Sequence, residues 1–209
     1  MNIVYIHGNY ATADSFNCIR LKLMAYNGIT LEYDSGQGFY SNFERMIAKL
    51  QDMKNIFFVA HSLGGIYALH LANKLRDKVL GAVTMSTPYG GSWAAQAVKY
   101  MLPFSRVLRD IEPHSQPIMD GNAIEITHPW INIVTRRGHS PFMLEANDGV
   151  VTLQSMRHRK DMRLIDVSSN HFEVLLNDDA FAIIYGAIRQ AERRALSTYP
   201  YMLEDIDAI

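Results

Sequence analysis

The run Phe57-Phe58-Val59-Ala60-His61-Ser62-Leu63-Gly64-Gly65 decides how the chain folds. An apolar, strand-like stretch passes directly into a helical one, with a serine at the junction. A turn that sharp strains the serine backbone, and the positions two before and two after it must be small for strand and helix to pass each other. Ala60 and Gly64 meet that demand. The serine then stands at the carboxyl end of a central strand and the N-terminus of a helix, where backbone N–H groups and the helix dipole favour developing negative charge. Ser62 is therefore the candidate nucleophile. His61 points away from it, as adjacent residues in such a turn do, and reads as structural.

Outward from this turn, short β-branched runs alternate with stretches of helical period, the pattern of a mostly parallel sheet with helices on both faces. Strands are expected at Asn2–His7, Thr30–Tyr33, Asn55–Ala60, Val79–Ser86, Ile131–Arg136 and Met162–Val167, and helices at Ser15–Tyr26, Ser41–Gln51, Gly64–Leu75 and Asp178–Ala195. The 209 residues suit a single α/β domain with about six strands. The rhythm breaks once, over about 89–122, where the connection is longer than compact domains usually use. This insertion reads as a small helical cap or as part of the substrate site. Trp93, Ala97, Tyr100 and Met101 share one helix face there, which makes Trp93, Tyr100 and Met101 candidate substrate-binding residues; core packing is the plainer reading of the same face. The acidic tail from Tyr199 to Ile209 reads as a loosely attached terminus.

Composition excludes several classes. Apolar residues make up 48% and charged residues 20%, ordinary for a globular protein, and the net charge of -1 offers no basic field for nucleic acid. The one cysteine, Cys18, allows no internal disulfide and reads as a buried filler. No His, Cys, Asp or Glu spacing resembles a metal site, and no motif calls for a cofactor. Gly36-Gln37-Gly38 lacks the continuation of a phosphate loop. Arg157-His158-Arg159-Lys160 reads as a solvated face. No apolar stretch approaches the roughly 18 residues that span a bilayer, and Met1–Ile6 carries no basic leader. The expectation is a cytoplasmic protein without a stable membrane anchor, with release by lysis or a dedicated secretion system as the alternative. The sequence does not speak to oligomeric state.

Ala60-His61-Ser62-Leu63-Gly64-Gly65, together with His7-Gly8 after the first strand, resembles the small bacterial lipases and esterases of the α/β-hydrolase superfamily, in which alanine replaces the first glycine of G-x-S-x-G. Ser86-Thr87-Pro88-Tyr89-Gly90-Gly91-Ser92 resembles the "TPxxGS" segment of its triacylglycerol-lipase-like group, and Asn147-Asp148-Gly149-Val150-Val151 its acid loop. The resemblance implies an α/β-hydrolase fold and a triad in the order serine, acid, histidine.

His171, in the polar loop after the last expected strand, takes the place of the general base. Asp148 follows the penultimate strand and precedes Gly149, which suits a turn that points a carboxylate inward; Asp166 and Glu145 are second choices. The tetrahedral intermediate needs two backbone donors, one after the nucleophile and one after the first strand, which by position are Leu63 and Asn9. His7 would brace that loop by hydrogen bonding. The expected activity is hydrolysis of a small-molecule or lipid carboxylic ester through an acyl-enzyme, without metal or cofactor. A thioester or phospholipid substrate on the same triad is an alternative, as is a non-catalytic ligand-binding protein.

Overall fold

Strand β3 (Ile56–His61) is buried at every position, as a central strand covered on both faces must be. Around it β1 (Asn2–Ile6), β2 (Asn27–Leu31), β4 (Val79–Met85), β5 (Trp130–Thr135) and β6 (Arg163–Val167) complete one six-stranded sheet in the order β2-β1-β3-β4-β5-β6. Every pairing is parallel. The computed structural model describes residues 1–92, 110–140 and 143–197.

The pleat sends alternate side chains to two cores. On one face Val4, Ile6, Phe58 and Ala60 pack under α2 (Phe39–Leu50), α3 (Leu63–Leu75) and α4 (Gln116–Ala123). On the other, Ile3, Tyr5, Phe57 and Val59 pack under α1 (Asn17–Lys22) and α6 (Asp178–Ser197); the short α5 (Leu153–Met156) lies between β5 and β6 in the chain. Buried positions on α6 fall at Ala180, Ile184, Ile188 and Ala191, a single stripe three and four residues apart.

The chain goes from β1 outward to β2, then returns to the other side of β1 for β3 and continues in one direction to β6. The order of winding therefore reverses between β1 and β3. Crevices in open α/β sheets form beyond the carboxyl ends of strands at that reversal, where the loop after β1 and Ser62 after β3 both lie.

Five strands lie within one or two residues of the expected positions; β2 starts three residues early. Its N-terminal Asn27 and Gly28 are exposed at the sheet edge, so pairing with Asn2 and Ile3 rather than apolar pattern sets its register. The expected helix at Ser15–Tyr26 is shorter. Thr12 caps a 3-10 turn at Ala13–Phe16, and α1 ends at Leu23, whose N–H reaches the carbonyls of Ile19 and Arg20. Cys18 is partly exposed rather than a buried filler.

Within the expected insertion, α4 packs on α3: Ile118 is buried and His70 Nε2 lies 2.9 Å from the Pro117 carbonyl. Arg159 departs from the expected solvated face. It is buried and donates to the carbonyls of Gly121, which also accepts the Ile124 N–H, and of Ile124 at the end of α4, while Asp161 balances its charge. The expected substrate residues Trp93, Tyr100 and Met101, and the tail from Tyr199, lie outside the described residues. The described flanks of that segment meet, because Ser92 N–H donates to the Ile111 carbonyl at 2.8 Å.

Among the described residues no helix is long and apolar enough to cross a membrane.

Candidate active site

Ser62 has φ 53° and ψ -125°, a conformation that costs a residue with a Cβ on the order of 1–3 kcal/mol. Its N–H donates to the Met85 carbonyl at 2.8 Å, which extends the β3–β4 ladder one residue and holds the turn. Gly64 is obligatory: a Cβ there would lie 2.1 Å from the Ile6 carbonyl oxygen. Strand β1 and helix α3 thus touch through bare backbone.

The loop after β1 lies against the serine. A Cβ on Gly8 would come within 3.2 Å of Ser62 Cβ and 3.0 Å of His61 Nδ1. The loop is closed by Ala11 N–H to the Gly8 carbonyl at 3.2 Å, and Ser35 Oγ accepts from Tyr10 N–H at 3.2 Å. Asn9 N–H is left without an acceptor among the described residues. Leu63, the first residue of α3, has an N–H that no helical carbonyl can reach. His7 braces the loop from behind: Nδ1 donates to the Gly8 carbonyl at 2.8 Å, Nε2 approaches Glu32 Oε2 at 2.9 Å, and the ring stacks on Tyr33.

Asp148 and His171 come together from loops after β5 and β6. His171 Nδ1 is 2.8 Å from Asp148 Oδ2, and the backbone N–H of His171 donates to the Asp148 carbonyl at 3.0 Å, so the two loops are bonded twice. Gly149, with φ 100°, allows the turn through which Val150 and Val151 N–H both donate to Asp148 Oδ1, at 3.0 and 2.8 Å. Thr135 Oγ1 donates to Oδ2 at 2.5 Å. Burial alone would raise the Asp148 pKa, but hydrogen bonds and charge from His171, with the donors Thr135 and Val151, outweigh it and leave the carboxyl below its ordinary value. Since the carboxylate can only accept, His171 Nδ1 carries the proton and Nε2 keeps the basic lone pair.

Ser62, His171, Gly8, Asn9 and His61 line one hollow of about 260 Å³, closed on its apolar sides by Pro88, Ile111, Val151 and Leu175. A larger groove of about 600 Å³, between α3 and the segment around Glu125, is lined by Arg76, Asp77 and His128 and lies away from Ser62. The smaller hollow is the one that brings Ser62 and His171 to a shared space. The second-choice acids stand elsewhere: Asp166 pairs with Arg136 and Arg157, and Glu145 is exposed.

Three polar residues here carry more than their sequence signalled. His61, 3% exposed, brings Nε2 to 2.7 Å from the His171 carbonyl. A carbonyl only accepts, so Nε2 is protonated and Nδ1 is not. Burial, with His171 adding to it, pushes the His61 pKa down to about 3, and the ring is neutral. Thr135 and Ser86, both fully buried, reach Asp148 in series. Nothing in the local pattern of a strand end distinguishes such hydroxyls from ordinary core threonine and serine. Among the described residues no three His, Cys, Asp or Glu side chains stand close enough to share a metal ion.

This architecture is the α/β-hydrolase fold. A carboxylesterase structure from the ammonia-oxidizing thaumarchaeon Nitrososphaera gargenis superposes with a TM-score of 0.67 at 13% identity, covering 92% of this chain and 91% of that one. The mature lipase BlEst2 of Bacillus licheniformis gives 0.64 at 13% identity over 90% and 91% of the two chains. A lipase-esterase related protein from Clostridium acetobutylicum gives 0.61 at 16% identity over 88% and 93%. No protein-family model and no curated protein matches the sequence.

Proposed function

We propose that the chain is a serine carboxylic-ester hydrolase, with Ser62 as nucleophile, His171 as base and Asp148 as the acid that orients it. The observation that carries the reading is the bonded Asp148–His171 pair opening into the same hollow as a strained serine at the reversal of the sheet. The esterases and lipases among the solved structures of the same fold favour this chemistry.

In the proposed reaction Ser62 Oγ attacks the ester carbonyl carbon while its proton passes to His171 Nε2. Asp148 accepts from Nδ1–H and stabilises the imidazolium. The carbonyl oxygen becomes an oxyanion held by Leu63 and Asn9 N–H. His171 returns the proton to the leaving alcohol as the C–O bond breaks. A water then attacks the acyl-serine, giving its proton to His171, and the carboxylic acid departs as Ser62 is regenerated.

Val150 and Phe172 add exposed apolar surface to the lining of the hollow, which suits a small-molecule or lipid ester of short to medium acyl length. Trp93, Tyr100 and Met101 are proposed to contribute to acyl preference.

A fluorophosphonate probe and a panel of p-nitrophenyl esters test the reading. Wild type is labelled and turns over; Ser62→Ala is not labelled and loses on the order of 10⁴-fold or more in kcat. A folded Ser62→Ala that keeps most of its turnover would overturn it, and a wild type that binds esters without labelling would favour a ligand-binding protein.

A further inference from the structure

Ser86 directly follows β4 and Thr135 ends β5, side by side at the carboxyl edge of the sheet, and both are wholly buried. Their hydroxyl oxygens are 2.8 Å apart, and Thr135 Oγ1 is 2.5 Å from Asp148 Oδ2. The direction of this chain is fixed by proton counting. The Asp148 carboxylate accepts, so Thr135 spends its one proton on it, and Ser86 must then donate to Thr135. Ser86 takes a left-handed backbone, φ 54°, almost the value of Ser62 one strand away. A residue with a Cβ adopts that region at a cost, and such strain gathers at functional sites. Asp148 Oδ2 thus receives two donors, His171 Nδ1–H from one side and the Thr135 hydroxyl from the other, while Oδ1 is filled by two backbone N–H groups.

We propose that Thr135 and Ser86 are positioning residues for the hydrolytic reaction: Ser86 orients the Thr135 hydroxyl, and Thr135 fixes Asp148 Oδ2 so that it faces His171. The inference rests on the triad reading above. A carboxylate held by three donors besides His171 cannot rotate about its own bond, so the oxygen that meets His171 keeps one direction through the reaction. The Thr135 donor also withdraws charge from the oxygen that pulls on the imidazole. Without it, Oδ2 is more basic and holds the imidazolium more firmly. The titratable groups facing the pair among the described residues are His61 from the end of β3 and, behind it, His7 from the end of β1. His61 is neutral throughout the working range, so it does not compete for the titration.

The test compares Thr135→Val, Thr135→Ser, Ser86→Ala and the Thr135→Val/Ser86→Ala double variant on a soluble ester, with Asp148→Asn in parallel. Thr135→Val should lower kcat by about tenfold or more, the range for losing a hydrogen bond to a charged group, with KM little changed. The acid limb of its kcat/KM profile should move to higher pH. Thr135→Ser should restore both. Ser86→Ala should change both in the same direction but less, and the double variant should be no worse than Thr135→Val, because Ser86 acts only through Thr135. Wild-type kcat and pH profile in a folded Thr135→Val, beside an inactive Asp148→Asn, would overturn this proposal and leave the triad standing. An active Asp148→Asn would instead remove the triad reading on which it depends. Additive losses in the double variant would deny the series arrangement.

Discussion

His61 donates its Nε2–H to the carbonyl of His171 across 2.7 Å, so the residue before Ser62 holds the loop that carries His171. The two rings lie 4.8 Å apart at 55°, close enough that moving one disturbs the other. His61→Gln, which keeps an N–H donor, should retain much of the activity. His61→Leu should lose about tenfold or more in kcat at unchanged acyl preference, since a buried carbonyl is left without its donor. Equal activity in the two variants would refute the anchoring role.

The same buried ring makes stability depend on pH. Unfolded, His61 takes up a proton below its ordinary pKa of 6.5, whereas folded it stays neutral until about pH 3. The unfolded state binds more protons across that window, so stability falls as pH drops through it, by up to about 1.4 kcal/mol per pH unit. Urea denaturation at pH 7 and pH 5 should show this loss in wild type and a smaller one in His61→Gln. Matching losses would show that other groups carry it.

The Ser62 backbone makes its own prediction. Glycine occupies φ 53° without penalty, so Ser62→Gly should be inactive yet more stable than wild type by about 1 kcal/mol. Thermal unfolding of the purified variant checks it, and a variant less stable than wild type would contradict the assigned strain.

Two carboxylates separate function from surface pairing. Asp148→Asn should lose about 10⁴-fold in kcat, while Asp166→Asn should cost no more than about 1 kcal/mol of stability and leave turnover intact, because its partners Arg136 and Arg157 are partly exposed. Turnover lost only in the second variant would move the acid to Asp166.

Gly186 sits within α6 with nothing within 4 Å of where a Cβ would stand. Gly186→Ala should therefore stabilise the protein by about 0.5–1 kcal/mol without touching activity. Gly64→Ala should do the reverse and fail to fold, and comparing the melting temperature of one with the soluble yield of the other tests both.

Much of this arrangement was legible because it follows from repeated physical patterns. Phe57 to Gly65 reads as strand, turn and helix, and the placing of Asp148 and His171 after successive strands puts their loops side by side in a sheet wound one way. What was not legible depended on long-range pairing. The start of β2 is set by Asn2 and Ile3, which no local pattern in Asn27-Gly28 reveals. Arg159 looked like one of four solvated basic residues because the carbonyls it serves lie more than thirty residues away in the chain. Ser86 and Thr135 are chemically ordinary until two strand ends bring their hydroxyls together.

The bond from Ser92 N–H to the Ile111 carbonyl clasps together two described points of the chain that lie nineteen positions apart in sequence. Both residues line the hollow that holds Ser62. That bond ties the two described ends to each other at the rim of the hollow. A change at either end is thereby felt at the other, and both ends border the space that Ser62 and His171 share.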